Sequence, residues 1–398
     1  MTQPSSHPPR PSVLVIASTF PSGPTDGTPA FVRDLAERVA DDFDVTVLVP
    51  RVAGSLRSEQ VGRLRVERFG YFIRRWEDLA DGAIIENLRA RRSRWLQVPF
   101  FFLAETLALR RLVKRMDPDV LHVHWIVPQG IVATVAARKV PALLTTLGGD
   151  VYALNDRVSR RLKARAIRHA RAVTTMNSDM RSRLVELGAR EDSTFVLPMG
   201  AQVGEMTQFA GLERDPGRLL FVGRLVEKKG LSVLLDALAQ LPPDLSWQLD
   251  VIGDGPLRDQ LEAKAGRWGD RVRFLGMAGR EDLGRAYATC AMLLMPSVPA
   301  ASGDQDGLPV TLLEAMALET PVIASNLPGI DDALDHGAAG RLVTPNDPGV
   351  LAKAISDLLA DPAGRAELGA AARVRSADFS VDSIGARYSA LLSEILRR

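Results

Sequence analysis

Residues 219–256 read LLFVGRLVEKKGLSVLLDALAQLPPDLSWQLDVIGDGP, and the architecture can be worked out from this stretch. Two short runs, LLFVG and QLDVIG, have the apolar and β-branched content of buried strands. The residues between them place apolar side chains at helical spacing. A strand, a helix and a second strand in this order predict two parallel strands whose connecting helix covers one face of the sheet.

The same alternation of strand and helix runs through most of the chain. Further short strand-like runs share this apolar, β-branched character: VLVIAS, DVTVLV, VLHVH, ALLTT, AVTTM, RVRFLG, AMLLMP and PVIAS. The periodicity lapses around residues 200–215. We therefore predict an α/β protein with two doubly wound Rossmann-like domains, residues 1–205 and 206–380, facing a central cleft. The last segment, 381–398, is predicted to be a helix that packs back on the first domain.

Composition excludes several classes of protein. The chain has 398 residues, 46% hydrophobic and 25% charged, as soluble globular proteins do. One cysteine, Cys290, rules out a disulfide framework and is typical of the cytoplasm. Residues 1–200 carry 30 Lys and Arg against 21 Asp and Glu, whereas the remainder carries 20 against 27. Because nucleic-acid motifs are absent, the basic half indicates membrane headgroups or a phosphate-bearing acceptor rather than DNA or RNA.

The loop after LLFVG carries two cations. Gly223 ends the strand, and Arg224 and Lys229 flank the turn into the next helix. A guanidinium and an ammonium on one strand-end loop suit a diphosphate and need no metal to neutralise it. A solvated basic loop is the alternative, and the position between strand and helix favours the diphosphate.

Residues 303–325, GDQDGLPVTLLEAMALETPVIAS, predict a second part of the same site. Pro309 suits the first residue of a helix, which we expect over residues 309–318. The free N–H groups at its start would bind an anion, and Gly307 would let a phosphate approach the backbone. Glu314 could accept two hydrogen bonds from a ribose diol, or it could be an ordinary surface residue of the helix.

Five motifs in this order resemble family 4 of the glycosyltransferases, a retaining family with the GT-B fold. They are DVLHVHW, FVGRLVEKKG, VIGDGPLRDQLE, RVRFLG and DGLPVTLLEAMA. The resemblance implies a glycosyltransferase whose first domain binds the acceptor and whose second domain binds a nucleotide-sugar donor. It also implies that no cofactor and no metal ion is required.

The family resemblance implies a role for each matching residue. Arg224 and Lys229 match the pair that binds the donor diphosphate. Asp306 and Glu314 match the E-x7-E motif, in which the first carboxylate meets the transferred sugar and the second meets the ribose. The remaining donor contacts correspond to Gly27, Gly223, Met277, Gly307, Leu308 and Val310, with Met277 beside the nucleobase and Gly27 in the loop that closes over the phosphates.

Two positions depart from the family pattern. Asp306 is one methylene shorter than the usual glutamate, and Leu147 stands where relatives often carry a histidine on the acceptor side. His124 and Asp150 are then the polar candidates for the acceptor side. His122 and His124 share one strand face, a spacing used by metal sites, but we interpret His122 as a structural residue because no third ligand cluster accompanies the pair.

The resemblance implies transfer of a hexosyl group, with retention, to a saccharide or lipid-linked acceptor in cell-surface polysaccharide or glycolipid synthesis. UDP is favoured over GDP as the donor nucleotide. Two alternatives stay open at this point: a nucleotide-sugar epimerase, and a non-catalytic protein that binds a sugar nucleotide.

A basic and aromatic segment, RRSRWLQVPFFFLAETLALRRLVKRM, spans residues 91–116. It could be a helix on an anionic membrane surface, or a core helix with a solvated basic face. Because such enzymes often act on lipid-linked acceptors, we predict a cytoplasmic protein with peripheral contact to the membrane and no membrane-spanning segment.

Overall fold

The structure is a computed structural model that describes residues 10–23, 28, 30–82, 84–299 and 307–398. The chain divides into two units, which we number 1 and 2. Unit 1 consists of Met1–Gly200 and Val381–Arg398, and unit 2 of Ala201–Ser380. Within these described ranges, no helix has both the length and the apolar character needed to cross a membrane.

Unit 1 is built on an eight-stranded sheet, as counted over the described residues. Its strands are β1 (Ser12–Ile16), β2 (Asp44–Pro50), β3 (Ser58–Val61), β4 (Leu64–Phe69), β5 (Val120–His124), β6 (Ala142–Thr145), β7 (Ala172–Thr175) and β8 (Thr194–Val196). The spatial order is β3-β4-β2-β1-β5-β6-β7-β8. All neighbours pair in parallel except β3, which is antiparallel to β4.

Helices cover both faces of this sheet. They are α1 (Phe31–Val39), α2 (Ile84–Ala90), α3 (Val98–Met116), α4 (Ile131–Ala136), α5 (Gly149–Tyr152), α6 (Arg157–His169) and α7 (Ser178–Glu186). Alternate residues of β1 enter two different cores: Val13 and Val15 lie in one, and Leu14 and Ile16 in the other. Continuous apolar strands are expected when both faces of a parallel sheet are buried.

Unit 2 repeats this plan on a six-stranded, fully parallel sheet of described residues. The strands are β9 (Arg218–Val222), β10 (Gln248–Ile252), β11 (Val272–Gly276), β12 (Met292–Met295), β13 (Val322–Ser325) and β14 (Arg341–Val343). The helices are α8 (Leu231–Leu238), α9 (Arg258–Ala265), α10 (Arg280–Thr289), α11 (Val310–Ala317), α12 (Pro328–Ala333), α13 (Pro348–Ala360) and α14 (Pro362–Ser376). The order β11-β10-β9-β12-β13-β14 reverses direction between β9 and β12, which makes that gap the topological switch point.

The last helix, α15 (Val381–Arg397), belongs to unit 1 and packs against α1. Its apolar residues join the core that contains Val13 and Val15. The hydroxyl of Tyr388, which is fully buried, donates a hydrogen bond to the carbonyl of Leu197 at 3.0 Å and lies 3.1 Å from the hydroxyl of Thr174. The C-terminal segment is therefore part of the core of unit 1.

The division between the units lies slightly before the predicted boundary of residues 205 and 206. The N–H of Ala201 donates to the carbonyl of Phe379 at 2.9 Å, so the chain has already joined unit 2 at this residue. Val203 and Met206 are buried in the core of unit 2. Their burial is the physical reason for the earlier division.

Candidate functional site

The loop after β9 brings the predicted cations to the switch point of unit 2. Arg224 is exposed and Lys229 is half-buried. The alkyl chain of Lys229 lies against Gly223, since a Cβ at Gly223 would be 3.5 Å from Cδ of the lysine. The carbonyl of Lys228 accepts a hydrogen bond of 2.9 Å from the N–H of Val298, which follows β12. The loops after β9 and β12 are therefore fastened together beside the two cations.

Gly230 makes this close approach sterically feasible. Its φ is +68°, and a Cβ at this position would lie 1.8 Å from the carbonyl oxygen of Pro296. A side chain would thus collide with the backbone that leaves β12 and would strain the turn. The sequence alone did not indicate this requirement, although a glycine directly before α8 was its visible signal.

The VIGDGP loop after β10 supports the diphosphate loop from the other side. Gly253 has φ +134°, and a Cβ there would lie 2.0 Å from the carbonyl oxygen of Gly223. The N–H of Gly223 donates to the carbonyl of Ile252 at 3.0 Å, and that of Leu225 donates to the carbonyl of Asp254 at 2.9 Å. The glycines of this loop consequently serve contacts between two backbones.

The start of α11 lies after the loop that leaves β12, on the other side of the switch point. The helix begins at Val310, with Pro309 as the residue before it, so the predicted range of 309–318 is one residue too long at each end. Val310 is exposed, Leu308 is half-buried, and the space beside Gly307 is open among the described atoms. The N–H of Leu312 donates to the carbonyl of Pro309 at 3.1 Å, whereas those of Val310 and Thr311 have no acceptor within the helix.

Glu314, on α11, is half-buried rather than on the open surface. The hydroxyl of Tyr287, a fully buried residue of α10, donates a hydrogen bond of 3.3 Å to its Oε2. Burial raises the pKa of Glu314, while the charge of Arg280 and the Tyr287 hydroxyl act in the opposite direction. Tyr287 and Arg280 are site residues that our sequence analysis missed, because nothing in the pattern of α10 points to Glu314.

Three other predicted donor contacts have different outcomes. Met277 directly follows β11 and is 78% exposed, so an apolar side chain stands open at this strand end. Asp306 and Gly27 lie outside the described residues. The roles that the family resemblance implies for these three positions stay predictions.

In unit 1, His124 is only 1% exposed. Its ring lies 4.2 Å from that of His122, and the Nε2 of His122 is 2.9 Å from the hydroxyl of Thr145. Burial lowers the pKa of His122 to about 3 and that of His124 well below its ordinary value, so both rings are neutral at pH 7. Since unit 1 does not expose the ring, a direct acceptor contact by His124 stays a prediction without structural support.

The described residues around the histidine pair do not form a metal site. Among the residues that the structure describes, no group of three or more His, Cys, Asp and Glu side chains is placed to hold a metal ion. The hydrogen bond between His122 and Thr145 of β6 agrees with a structural histidine.

Asp150 organises the loops after β5 and β6 through backbone contacts. Its carboxylate accepts hydrogen bonds from the N–H of Ile126 at 2.9 Å and from those of Leu147 and Gly148 at 3.1 Å each. The residue is buried, and burial raises the pKa of Asp150 against these hydrogen bonds. Its carboxylate therefore holds two loops after β5 and β6, and its predicted contact with an acceptor is untested.

Lys163 holds the backbone of the segment that contains Asp150. The side chain is fully buried, and its Nζ donates to the carbonyls of Asp150, Val151 and Ala153 at 3.2, 3.0 and 2.7 Å. Burial lowers the pKa of this ammonium. Sequence reasoning missed Lys163 because one lysine in a basic helix gives no signal of burial.

Two known protein families match the chain, one in each unit. The model of the family described as "Glycosyl transferase 4-like domain" matches residues 26–200, and that described as "Glycosyl transferases group 1" matches residues 216–361. The phosphatidyl-myo-inositol mannosyltransferase of Mycobacterium leprae is 32% identical over 293 residues, which cover 69% of this chain and 73% of the relative. The chain belongs to glycosyltransferase family 4.

Other relatives of this glycosyltransferase match over different lengths. The putative teichuronic acid biosynthesis glycosyltransferase TuaC of Bacillus subtilis is 25% identical over 363 residues, 86% of this chain and 88% of the relative. With the amylovoran biosynthesis glycosyltransferase AmsK of Erwinia amylovora the match spans 43% of each chain, at 33% identity.

Solved structures show that this glycosyltransferase has the GT-B fold. Sucrose-phosphate synthase from Thermosynechococcus elongatus has a TM-score of 0.74 at 22% identity, covering 98% of this chain and all of that one. HepE of Anabaena, solved in complex with UDP, has a TM-score of 0.70 at 20% identity, covering 96% of this chain and all of that one.

Proposed function

We propose that this glycosyltransferase transfers a hexosyl group from a UDP-sugar, with retention at the anomeric carbon, to a saccharide or lipid-linked acceptor in cell-surface polysaccharide or glycolipid synthesis. The position of Arg224 and Lys229 at the switch point of unit 2 carries the proposal. Similarity to a phosphatidyl-myo-inositol mannosyltransferase and to the putative teichuronic acid biosynthesis glycosyltransferase TuaC supports the acceptor class. The complexes of HepE with UDP and with UDP-glucose support UDP as the donor nucleotide.

In this proposal unit 2 stabilises the departing diphosphate. Arg224 and Lys229 neutralise its charge, and the N–H groups at the start of α11 donate to its oxygens. Because the cations stand on a loop fixed through Gly230 and Gly253, little reorganisation is needed as negative charge develops. We therefore expect nucleotide binding without a divalent cation.

Glu314 binds the ribose in this scheme. The Tyr287 hydroxyl holds one carboxylate oxygen, Oε2, and this bond fixes the orientation of the side chain. The other oxygen, Oε1, then accepts hydrogen bonds from the ribose hydroxyls. Met277 stands beside the base, and Asp306 accepts from the hydroxyls of the transferred sugar.

The reaction we propose takes place on one face of the sugar. The bond from the anomeric carbon to the phosphate oxygen breaks, and a bond to the acceptor oxygen forms on the same side. The proton of the acceptor hydroxyl passes to an oxygen of the departing diphosphate. In this scheme the protein orients the donor and the acceptor and stabilises the developing charge. Neither His124 nor Leu147 transfers a proton.

The first experiment is a calorimetric titration with UDP, GDP and ADP in the presence of EDTA. We expect UDP to bind, and Arg224→Ala and Lys229→Ala each to weaken binding at least about tenfold. Lys353→Ala, which removes an exposed lysine of α13 in the same unit, is the matched control and should bind UDP normally. Unchanged UDP binding in both loop variants would refute the diphosphate assignment.

The stereochemistry needs a separate experiment. With a UDP-sugar and an acceptor that is turned over, the proton NMR coupling at the anomeric centre of the product gives its configuration. We expect the configuration of the donor to be kept. Inversion would refute the retaining mechanism, and conversion of the UDP-sugar without any acceptor would instead indicate an epimerase.

A further inference from the structure

The outer face of α3 is apolar and exposed to solvent. Leu96, just before the helix, and Phe100, Leu103 and Leu107 follow one another at helical spacing, with exposed fractions of 70%, 53%, 58% and 40%. The opposite face of the same helix is buried in unit 1 through Phe101, Glu105, Leu109 and Leu112. A helix that is apolar on both faces is expected where the outer face also has a partner.

Neighbouring segments extend this apolar surface. Ile73, Trp76 and Trp95 are each more than half exposed. The ring of Phe72, next to Ile73, lies 5.4 Å from the ring of Phe100. Asp78 accepts hydrogen bonds from Arg94 at 2.9 Å and Gln97 at 2.8 Å, which fastens the turn before α3 to the segment around residue 76. We call the seven residues Ile73, Trp76, Trp95, Leu96, Phe100, Leu103 and Leu107 the α3 surface.

Arginines surround the α3 surface. Six exposed arginines belong to the same segments: Arg74, Arg75, Arg91, Arg92, Arg110 and Arg111. Over the described part of the chain, none of the six forms an ion pair with a carboxylate, although Arg94 and Arg115 nearby do. Arg75 lies over the ring of Trp76, 4.3 Å from its centroid. The surface therefore combines two exposed tryptophans and four aliphatic side chains with six exposed arginines that form no ion pair with a described carboxylate.

We propose that the α3 surface docks unit 1 on a lipid bilayer that contains anionic headgroups. Tryptophans and leucines enter the boundary between headgroups and acyl chains, and arginines around them bind the anionic phosphates. Charge argues against a second copy of this chain as the occupant, because self-association would bring two sets of exposed arginines together. The proposal does not depend on the donor, the acceptor or the reaction assigned above.

The test uses the full-length protein and sedimentation with two kinds of vesicle, pure phosphatidylcholine and a mixture of phosphatidylcholine with phosphatidylglycerol. We expect binding to the mixed vesicles that weakens as salt rises. The double variant with Leu96→Ser and Leu103→Ser should lower the partition coefficient at least about tenfold, because both side chains enter the bilayer boundary. The double variant with Arg92→Gln and Arg111→Gln should lower it by a similar factor on mixed vesicles only.

Two double variants outside the α3 surface serve as matched controls. Val158→Ser with Val374→Ser removes two side chains that are 64% and 78% exposed, and Arg157→Gln with Arg161→Gln removes two exposed arginines of α6. Both should bind the mixed vesicles as the unchanged protein does. Circular dichroism and thermal melting check that every variant is folded, as expected for exposed positions.

Quenching by brominated lipids provides a second measurement. Fluorescence of the unchanged protein should be quenched on mixed vesicles, and Trp95→Phe combined with Trp76→Phe should remove most of this quenching. Absence of vesicle binding would overturn the proposal, whether the protein is then monomeric or associates through the α3 surface. Equal loss of binding in the controls would overturn it as well.

Discussion

Glu105 offers the sharpest test of the energetics of unit 1. The residue lies on the inner face of α3 and is 0% exposed. Its Oε1 accepts a hydrogen bond of 3.0 Å from the side-chain amide of Gln129, and burial raises the pKa of Glu105 from 4.5 to about 8. Among the described residues, its Oε2 and the Oε1 of Gln129 are both buried without a partner. The carboxyl group is therefore neutral at pH 7 in the folded protein.

This pKa difference makes stability depend on pH. The unfolded chain releases the proton near pH 4.5, whereas the folded protein keeps it up to about pH 8. Between these values the unfolded state binds fewer protons, so the free energy of unfolding falls as pH rises. The cost to stability is roughly 1 kcal/mol at pH 5 and about 3 kcal/mol at pH 7.

Glu105→Gln removes this dependence because a glutamine is neutral at every pH. Its amide can accept from Gln129 and also donate to it, as the protonated acid can. We expect the variant to be more stable than the unchanged protein at pH 7. The difference in unfolding free energy should widen by about 2 to 3 kcal/mol from pH 5 to pH 7, and it should stop growing above pH 8.

The assay is urea unfolding at pH 5, 6 and 7, followed by pulsed hydrogen exchange on peptides of β1 and β5. These peptides report on unit 1 alone, which matters because two units need not unfold in one step. Glu186→Gln, at an exposed position on α7, is the control and should show no difference that grows with pH. A gap between Glu105→Gln and the unchanged protein that is constant or shrinks as pH rises would refute the reasoning.

Three further predictions concern particular contacts. Gly253→Ala should destabilise unit 2 by at least about 2 kcal/mol, since its Cβ would meet the carbonyl of Gly223 at 2.0 Å; urea unfolding measures this, and a stable variant would contradict it. Tyr388→Phe should cost unit 1 about 1 to 3 kcal/mol in the same assay, because the carbonyl of Leu197 loses its donor. Glu314→Gln should weaken UDP binding about tenfold in calorimetry, and unaltered affinity would remove Glu314 from the ribose site.

The strands that the sequence predicted are those with continuous apolar runs. Both faces of a parallel strand are buried, so strands such as β5 and β10 carry a signal that depends on the local sequence alone. The hairpin of β3 and β4 escaped prediction for the opposite reason. SEQV and LRVERF form one edge of the sheet with partly exposed faces, and their charged residues resemble those of a loop.

In the candidate site, too, some features follow from residues adjacent in sequence, and others depend on contacts between distant residues. Arg224 and Lys229 could be placed because a strand end and the loop after it are adjacent in sequence. The need for a glycine at position 253 could not be predicted in this way. The atom that a Cβ would meet there is the carbonyl oxygen of Gly223, which lies at the end of a different strand. A glycine whose contact lies on another loop has no local pattern that distinguishes it from an ordinary turn glycine.

His124 shows most clearly where sequence reasoning stops. The period of two in a strand predicted correctly that His122 and His124 share one face of β5. Whether that face is open or covered depends on α15, some 260 residues later, whose Tyr388 ring lies 5.2 Å from the ring of His122. A helix predicted to return to unit 1 could have packed on either face of the sheet. The burial of His124, which is 1% exposed, therefore could not be read from the sequence of β5 alone.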